Sequence, residues 1–300
     1  MKKSLLAVVA LMVGLTACTN NSKSTVTEDL AMDSIGTERR DTVADVRIHV
    51  VYPTQGPAAL VDSLRRFVAQ TLQDGAIFEP ADEVAAGNPF VGNPALVNDA
   101  QALLDAAARR DYDRLKTDRE EMLDGFEDDA VAATWPAYES MCDITLLHET
   151  ATYVTLVVQR YEFLGGAHGS TYVSGTTFSK SDGRQLGWSM LKDTDSPAFR
   201  QLMREGIRQY FQGATDDTVS DEQLGEWLML PSGTEQIPLP AVEPYLTADG
   251  VAFVYQQYEI APYAAGLPSF TVSYADIRPF LSPVALSLLA EDQIGETAAK

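Results

Sequence analysis

Two short stretches of this sequence combine residue types that are suited to recognising a partner. The first is a glycine-rich segment around one histidine, and it contains Gly165, Gly166, His168 and Gly169. Glycines let the backbone adopt positive φ between two strands, and they let a partner approach the main chain closely. The segment therefore predicts either a tight structural connection or a recognition loop with His168 at its tip.

The second stretch covers residues 253–266 and is rich in aromatic and small residues. Period-2 alternation predicts a strand over residues 251–260, and Pro262 ends its ladder because proline has no N–H to donate. Tyr263 then begins a stiff loop that closes at Gly266, and this combination suits a contact surface. Packing of Tyr258 and Tyr263 in the protein's own core is the alternative.

Little in the sequence points to catalysis. The three histidines, His49, His148 and His168, lack the close spacing of a catalytic metal site. No recognisable triad or nucleophile motif accompanies His168. The acidic runs lack the alternating oxygens and central glycine of a calcium loop. We therefore predict a protein that is not an enzyme and has no cofactor or metal, although a glycosidase-type pair among the 43 Asp and Glu residues stays open.

The composition narrows the classes of protein further. A chain with 45% hydrophobic and 22% charged residues folds into a globular body. A formal charge of -21 has the wrong sign for a phosphate backbone, so nucleic acid is excluded as a partner. Two cysteines cannot build a disulfide framework. Cys142 shares one face of a predicted strand with Ile144 and Leu146, which indicates a core thiol rather than a reactive one.

The N-terminus predicts export. A short cationic start, Met1-Lys2-Lys3, precedes an apolar run over residues 5–15 that is too short to span a bilayer, as in a signal peptide. The run ends in Leu15-Thr16-Ala17-Cys18, which resembles the bacterial lipobox. That resemblance implies cleavage before Cys18 and attachment of a diacylglycerol to it. An ordinary secretory signal is the alternative.

We therefore predict a lipoprotein signal peptide over residues 1–17 and a lipid-anchored flexible tether over residues 18–44, where polar residues show no periodicity. Loss of Lys2 and Lys3 on cleavage takes the formal charge from -21 to -23. No acidic residue directly follows Cys18, and this favours an anchor in the outer membrane that faces the periplasm.

The rest of the chain predicts an α+β fold, a mostly antiparallel sheet flanked by helices in two intimately packed subdomains. Helical periodicity marks three helices, one after Gly56-Pro57, one from an N-cap at Asn98 and one from Ser196-Pro197. Alternation and β-branched residues predict strands over residues 46–52, 138–148, 152–163, 170–179, 251–260 and 269–273. A loop is expected over residues 75–97, a short acidic helix near residues 220–228, and a final helical turn near residues 283–289.

A family resemblance rests on the two stretches together. Residues 161–169 and residues 253–266, in this order, resemble the paired domains of unknown function found in RsiV-type anti-sigma factors and PdaC-type deacetylases. The resemblance covers roughly residues 45–282. It implies a PdaC-type domain over residues 45–180 and an RsiV-like C-terminal domain over residues 181–290, followed by a flexible tail over residues 291–300.

The resemblance also carries functional expectations. We expect neither the anti-sigma nor the deacetylase activity, because the segments that perform them are absent from this sequence. The RsiV-type domain recognises lysozyme, and lysozymes are commonly basic, which suits a body of charge -23. We therefore predict an envelope binding module for a lysozyme or muramidase-type protein or for cell-wall glycan. A peptidoglycan-modifying enzyme, or an accessory domain of one, is the alternative. The candidate partner-binding residues are Gly165, Gly166, His168, Gly169, Pro262, Tyr263 and Gly266.

Overall fold

A computed structural model describes residues 29–73, 94–126, 134–215, 218–230 and 236–289. The predicted signal peptide, Cys18, most of the loop predicted over residues 75–97, and the predicted tail lie outside the described residues. No helix in the described part of the chain has the length and hydrophobicity needed to cross a membrane.

A six-stranded sheet forms the N-terminal half of the protein. Its strands follow chain order from β1 to β6, and every neighbouring pair is antiparallel except β2 and β3. The strands are β1 (Ala31–Arg40), β2 (Ala44–Gln55), β3 (Tyr138–Glu149), β4 (Tyr153–Phe163), β5 (Ser170–Ser179) and β6 (Gln185–Leu186). The predicted α+β class with a mostly antiparallel sheet is confirmed.

Two helices, α1 (Ala58–Gln73) and α2 (Ala100–Asp124), cover one face of this sheet. The helix predicted after Gly56-Pro57 is α1, and its apolar residues Leu60, Leu64 and Val68 are buried. Helix α2 starts one residue later than predicted. Its N-cap is Asp99 rather than Asn98, because the Asp99 carboxylate accepts a hydrogen bond from the Ala102 N–H at 3.0 Å.

The C-terminal half has a smaller sheet and four helices within the described residues. An antiparallel sheet of three strands contains β7 (Tyr245–Leu246), β8 (Gly250–Val254) and β9 (Ser269–Ser273). The helices are α3 (Pro197–Thr215), α4 (Asp221–Trp227), α5 (Tyr274–Ile277) and α6 (Pro283–Leu288). Helix α4 is the short acidic helix predicted near residues 220–228, and Ser220 caps it in a capping box with Gln223. A second hydrophobic cluster fills this half.

Strand β4 joins the two halves, because both of its faces are buried. Val154 and Leu156 face α1 and α2, whereas Tyr153 belongs to the hydrophobic cluster of the C-terminal half. On the same face as Tyr153, Val157 packs against a third cluster that includes Tyr245 of β7. The apolar composition of β4 on both faces therefore reflects helices on one side and the C-terminal half on the other.

The predicted tether is wrong over residues 31–40, which form strand β1. Among the described strands, β1 pairs only with β2, so it is an edge strand. Most of its side chains lie in solvent, which explains the polar composition of residues 31–40. Met32 and Ile35 pack partly against the core of the N-terminal half. The Thr37 hydroxyl also donates a hydrogen bond to Asp105 of α2 at 2.9 Å.

A chain that starts at Thr42 is therefore expected to be less stable than a chain that starts at Asp29. The shorter chain loses the β1 ladder and leaves the edge of β2 unpaired. A loss of about 2 kcal/mol corresponds to a melting temperature lower by roughly 4–8 °C in a protein of this size. Thermal denaturation followed by circular dichroism compares the two chains. Equal melting temperatures would show that β1 contributes nothing to stability.

Cys142 is buried in β3, as predicted, and is 8% exposed. Burial raises the pKa of its thiol to about 11, so the reactive thiolate is scarce at neutral pH. Ile144 is buried beside it, whereas Leu146 is 40% exposed and lies just before a register shift in the ladder between β3 and β4.

Candidate binding site

The two sequence motifs meet at one end of the six-stranded sheet. The imidazole of His168 stacks on the ring of Tyr263, with 3.7 Å between ring centroids and 17° between ring planes. The Tyr263 hydroxyl also donates a hydrogen bond to the carbonyl oxygen of Gly169 at 3.0 Å. We call the segments that carry these contacts, residues 164–169 and residues 258–266, the two-loop surface.

Glycines shape the first loop, which connects β4 to β5. Gly165 and Gly166 have φ of 82° and 86°, in the region that side chains other than glycine rarely adopt. Gly165 also lies on the indole of Trp135, where a Cβ atom would come within 3.0 Å of the ring. Gly169 lies against Tyr161, whose ring a Cβ atom would approach to 2.5 Å. Two aromatic rings therefore position the loop from below.

An ion pair holds the base of the first loop. Glu162, near the end of β4, pairs with Arg114 of α2, and both side chains are largely buried, at 3% and 15% exposed. Arg114 also contacts Asp118 at 3.2 Å, and Arg119 donates a hydrogen bond to the carbonyl oxygen of Trp135 at 2.8 Å. Helix α2 therefore fixes both β4 and Trp135 beneath the loop.

The strand predicted over residues 251–260 is too long, since β8 ends at Val254. The side chain of Gln256 forms the two hydrogen bonds that a neighbouring strand would form with β5. Its oxygen accepts a hydrogen bond from the Val173 N–H at 3.1 Å, and its NH₂ group donates one to the Val173 carbonyl oxygen at 2.8 Å. The oxygen of Gln257 likewise accepts from the Thr171 N–H at 2.8 Å. These bonds turn the chain away from the ladder and dock it against β5.

Glu259 stabilises the turn that follows. Its carboxylate accepts hydrogen bonds from the Gln256 N–H and from the Ala241 N–H, both at 2.7 Å. Tyr258 within this turn has φ of 65° and is 56% exposed, so a strained residue carries an aromatic ring into solvent. The Tyr258 ring lies 6.0 Å from the ring of Tyr263. Neither tyrosine belongs to a buried core cluster.

A short 3-10 turn, Tyr263–Ala265, forms the rest of the second loop. Pro262 precedes the turn and is exposed, and Gly266 ends it with φ of 71°. Tyr210 of α3 donates a hydrogen bond to the carbonyl oxygen of Ala265 at 2.7 Å and fixes the turn to the C-terminal half. The second loop is thus held at both ends by side chains.

The chemistry available at this surface is that of binding. It offers the ring edges of His168 and Tyr263, the exposed ring of Tyr258 and the bare backbone of Gly166. Burial is the largest cause that raises the pKa of the Tyr161 phenol, and the negative charge of Glu139 raises it further. The phenol beneath the loop therefore stays neutral. No group of three or more His, Cys, Asp or Glu residues in the described parts of the chain is arranged to hold a metal ion.

The structure brings the seven candidate residues into two adjoining loops. Gly166 and His168 are exposed, Gly169 is buried, and Tyr263 is half-buried beneath His168. Sequence reasoning missed the supporting residue Trp135, and it included Tyr161 in the first stretch without a supporting role. The position of Trp135 just before a predicted strand gave no indication that its indole lies under Gly165.

Replacing Gly169 with alanine is expected to lower the free energy of unfolding by about 1–3 kcal/mol, because the added methyl group overlaps the Tyr161 ring. Gly213→Ala is the matched control, since that helical glycine has nothing within 4 Å of an added Cβ. The control is expected to be neutral or stabilising by up to about 1 kcal/mol. Urea denaturation measures both. Equal stabilities for the two variants would contradict close packing of Gly169 on Tyr161.

Comparison with known proteins identifies a domain and a fold. A family model described as "Protein of unknown function (DUF3298)" matches residues 191–275. A crystal structure of a DUF3298 family member from Bacteroides fragilis is similar over 91% of this chain and 99% of its own, with a TM-score of 0.62 and 19% identity. No curated protein matches this chain significantly in sequence.

A second crystal structure, of a DUF3298 family protein from Pseudomonas aeruginosa, covers 85% of this chain and 95% of its own length. Its TM-score is 0.53 and its sequence identity is 18%. At these identities the similarity establishes the fold. The segment matched by the family model runs from Leu191 to Ala275 and includes the second loop. The chain therefore carries a DUF3298 domain, a domain of unknown function, over residues 191–275.

Proposed function

We propose that this protein is a lipid-anchored envelope protein whose two-loop surface binds a muramidase-type protein. The observation that carries the proposal is the stack of His168 on Tyr263, which joins the two loops into one contact surface. The resemblance of these two stretches to a lysozyme-recognising domain supports the choice of partner. Cell-wall glycan is the competing ligand, since aromatic rings also suit it.

The stiffness of the surface supports binding. Positive φ at Gly165 and Gly166, the Tyr263 hydrogen bond to Gly169 and the Tyr210 hydrogen bond to Ala265 restrict the loops before any partner arrives. A loop that is already ordered loses less conformational entropy on binding, which favours affinity. Exposed residues at the tip of the first loop, including Gly166 and His168, suit insertion into the cleft of a partner.

The placement of the surface also fits an anchored binder. Ala31 pairs with Gln55 at one end of the sheet, whereas Phe163 and Ser170 flank the first loop at the other end. A strand of ten residues such as β1 spans roughly 33 Å at about 3.3 Å per residue. A chain anchored at Cys18 would therefore join the sheet at the end opposite the first loop. The two-loop surface would then face away from the membrane. The formal charge of -23 after cleavage favours a basic partner.

The test measures binding of the full chain to purified lysozyme and to soluble peptidoglycan fragments by calorimetry. We expect lysozyme to bind and His168→Ala to weaken that binding. Binding of the fragments alone, with the same sensitivity to His168→Ala, would assign the surface to glycan. Binding of neither ligand would overturn the proposal, and turnover of the fragments would favour the enzymatic alternative. Retention of the chain in membranes, and its release by Cys18→Ser, tests the anchor separately.

A further inference from the structure

We propose that Ser34, His49 and Asp143 form a reactive-serine site on the open face of the six-stranded sheet. The site lies on strands β1, β2 and β3, which take no part in the two-loop surface. It would accept the acyl group of a small ester. The inference does not depend on the proposed binding function.

The three side chains have the connectivity of a nucleophile, a base and an orienting acid. The Ser34 Oγ lies 2.7 Å from Nε2 of His49. The other ring nitrogen, Nδ1, faces Oδ1 of Asp143 at 3.9 Å. The first distance is that of a hydrogen bond. The second is longer than a hydrogen bond, as is common for catalytic contacts in proteins without substrate.

Strand register builds the site. His49 of β2 lies directly opposite Gly36 of β1 on one side and Asp143 of β3 on the other. Gly36 presents no side chain, so the imidazole extends over β1 and reaches Ser34, two residues along the same face. A Cβ atom on Gly36 would lie 3.4 Å from Cδ2 of His49 and would compete with the ring for this space.

Electrostatics favour the reactive tautomer. The Asp143 carboxylate attracts the proton to Nδ1, and the lone pair of Nε2 is then free to accept the Ser34 hydroxyl proton. In the acyl-transfer step, the Ser34 Oγ forms a bond to the acyl carbon, and the bond from that carbon to the leaving oxygen breaks. His49 takes the serine proton and returns it to the leaving oxygen, so the step needs no other reactant.

The surroundings restrict the class of substrate. Ser34 is exposed, and the side chains of His49 and Asp143 are 52% and 42% exposed, so a small ligand reaches them from solvent. Half-buried Val51 lies directly opposite Ser34 and offers a short apolar contact on the same face. A short acyl ester fits this open, shallow site.

The test treats the full chain with a fluorophosphonate probe and maps the labelled peptides by mass spectrometry. The probe forms an Oγ–P bond as its P–F bond breaks and fluoride leaves. The other serines of the same chain are the internal reference. We expect Ser34 to be labelled at least about 100-fold faster than an exposed serine such as Ser287, the lower range of general-base assistance. Hydrolysis of p-nitrophenyl acetate provides a second readout.

Substitutions at the site distinguish a loss of serine reactivity from a loss of folding. Ser34→Ala should abolish the label, and His49→Gln should slow labelling of Ser34 by about 100-fold. Asp143→Asn should slow labelling less, and Gly36→Val should slow it by displacing the ring. Ser287→Ala, at an exposed serine outside both proposed sites, is the matched serine control and should leave the rate at Ser34 unchanged. Labelling of Ser34 at the rate of the reference serines, or a rate indifferent to His49→Gln in a chain of unchanged melting temperature, would overturn the proposal.

Discussion

Replacing Tyr153 with alanine is expected to lower the free energy of unfolding by about 3–5 kcal/mol, the range for truncation of a buried aromatic residue. Tyr153 is fully buried, and it belongs to β4 of the N-terminal sheet while its ring packs in the hydrophobic cluster of the C-terminal half. The truncation therefore leaves a cavity between the two halves. Chemical denaturation followed by circular dichroism and tyrosine fluorescence measures the loss.

Tyr153→Phe is the matched control for this prediction. It keeps the ring and removes a hydroxyl that lies 3.3 Å from both the Tyr274 hydroxyl and the Thr247 carbonyl. We expect a loss of about 1 kcal/mol from this change, the net worth of an ordinary hydrogen bond. If alanine proved no more destabilising than phenylalanine, the contact between the halves would contribute little. A separate, earlier transition for the C-terminal half in the alanine variant would support the interface role.

Replacing Tyr263 with alanine is expected to weaken binding to the muramidase-type partner by about 30-fold, the scale of an aromatic hot spot of about 2 kcal/mol. The change removes the ring beneath His168 and the hydrogen bond to Gly169, so both loops lose their shared contact. Titration calorimetry with lysozyme measures the dissociation constant. Thermal denaturation verifies that the variant remains folded.

Two further variants make this result specific. Tyr263→Phe keeps the stack on His168 and loses only the hydrogen bond, so we expect less than about a tenfold effect. Leu147→Ala removes an apolar side chain that is 46% exposed at the opposite end of the sheet, and binding should not change. Equal weakening by Leu147→Ala and Tyr263→Ala would place the contact surface elsewhere. Unchanged binding of Tyr263→Ala would exclude the two-loop surface.

Local patterns predicted most of the regular elements correctly. Helix α3 and the three strands β3, β4 and β5 follow from periodicity, because the buried faces of helices and strands select apolar residues at fixed spacings. The period-2 pattern predicted too long a strand over residues 251–260. Alternation there continues past Val254, but the side chains of Gln256 and Gln257 bond to β5 and end the ladder. Such bonds depend on a strand some 83 residues away.

Over residues 31–40 the sequence led to the opposite error, because a strand was missed rather than made too long. Residues 31–40 are polar enough to resemble a tether, yet they form β1 because the neighbouring strand satisfies their backbone hydrogen bonds. An edge strand buries few side chains, so composition carries little information about it. The site at Ser34 therefore falls in a segment where the sequence predicted no structure at all.

The sequence by itself determined most of the segments that form helices and strands, and it determined which residues supply flexible backbone and aromatic rings. Only the tertiary structure decided which of them meet. Tyr263 reaches Gly169 across 94 residues of chain, and His49 lies between Gly36 and Asp143 through the register of three strands. The physical reason is that propensity and periodicity act over a few residues, whereas pairing register and packing between distant segments depend on the energy of the whole fold.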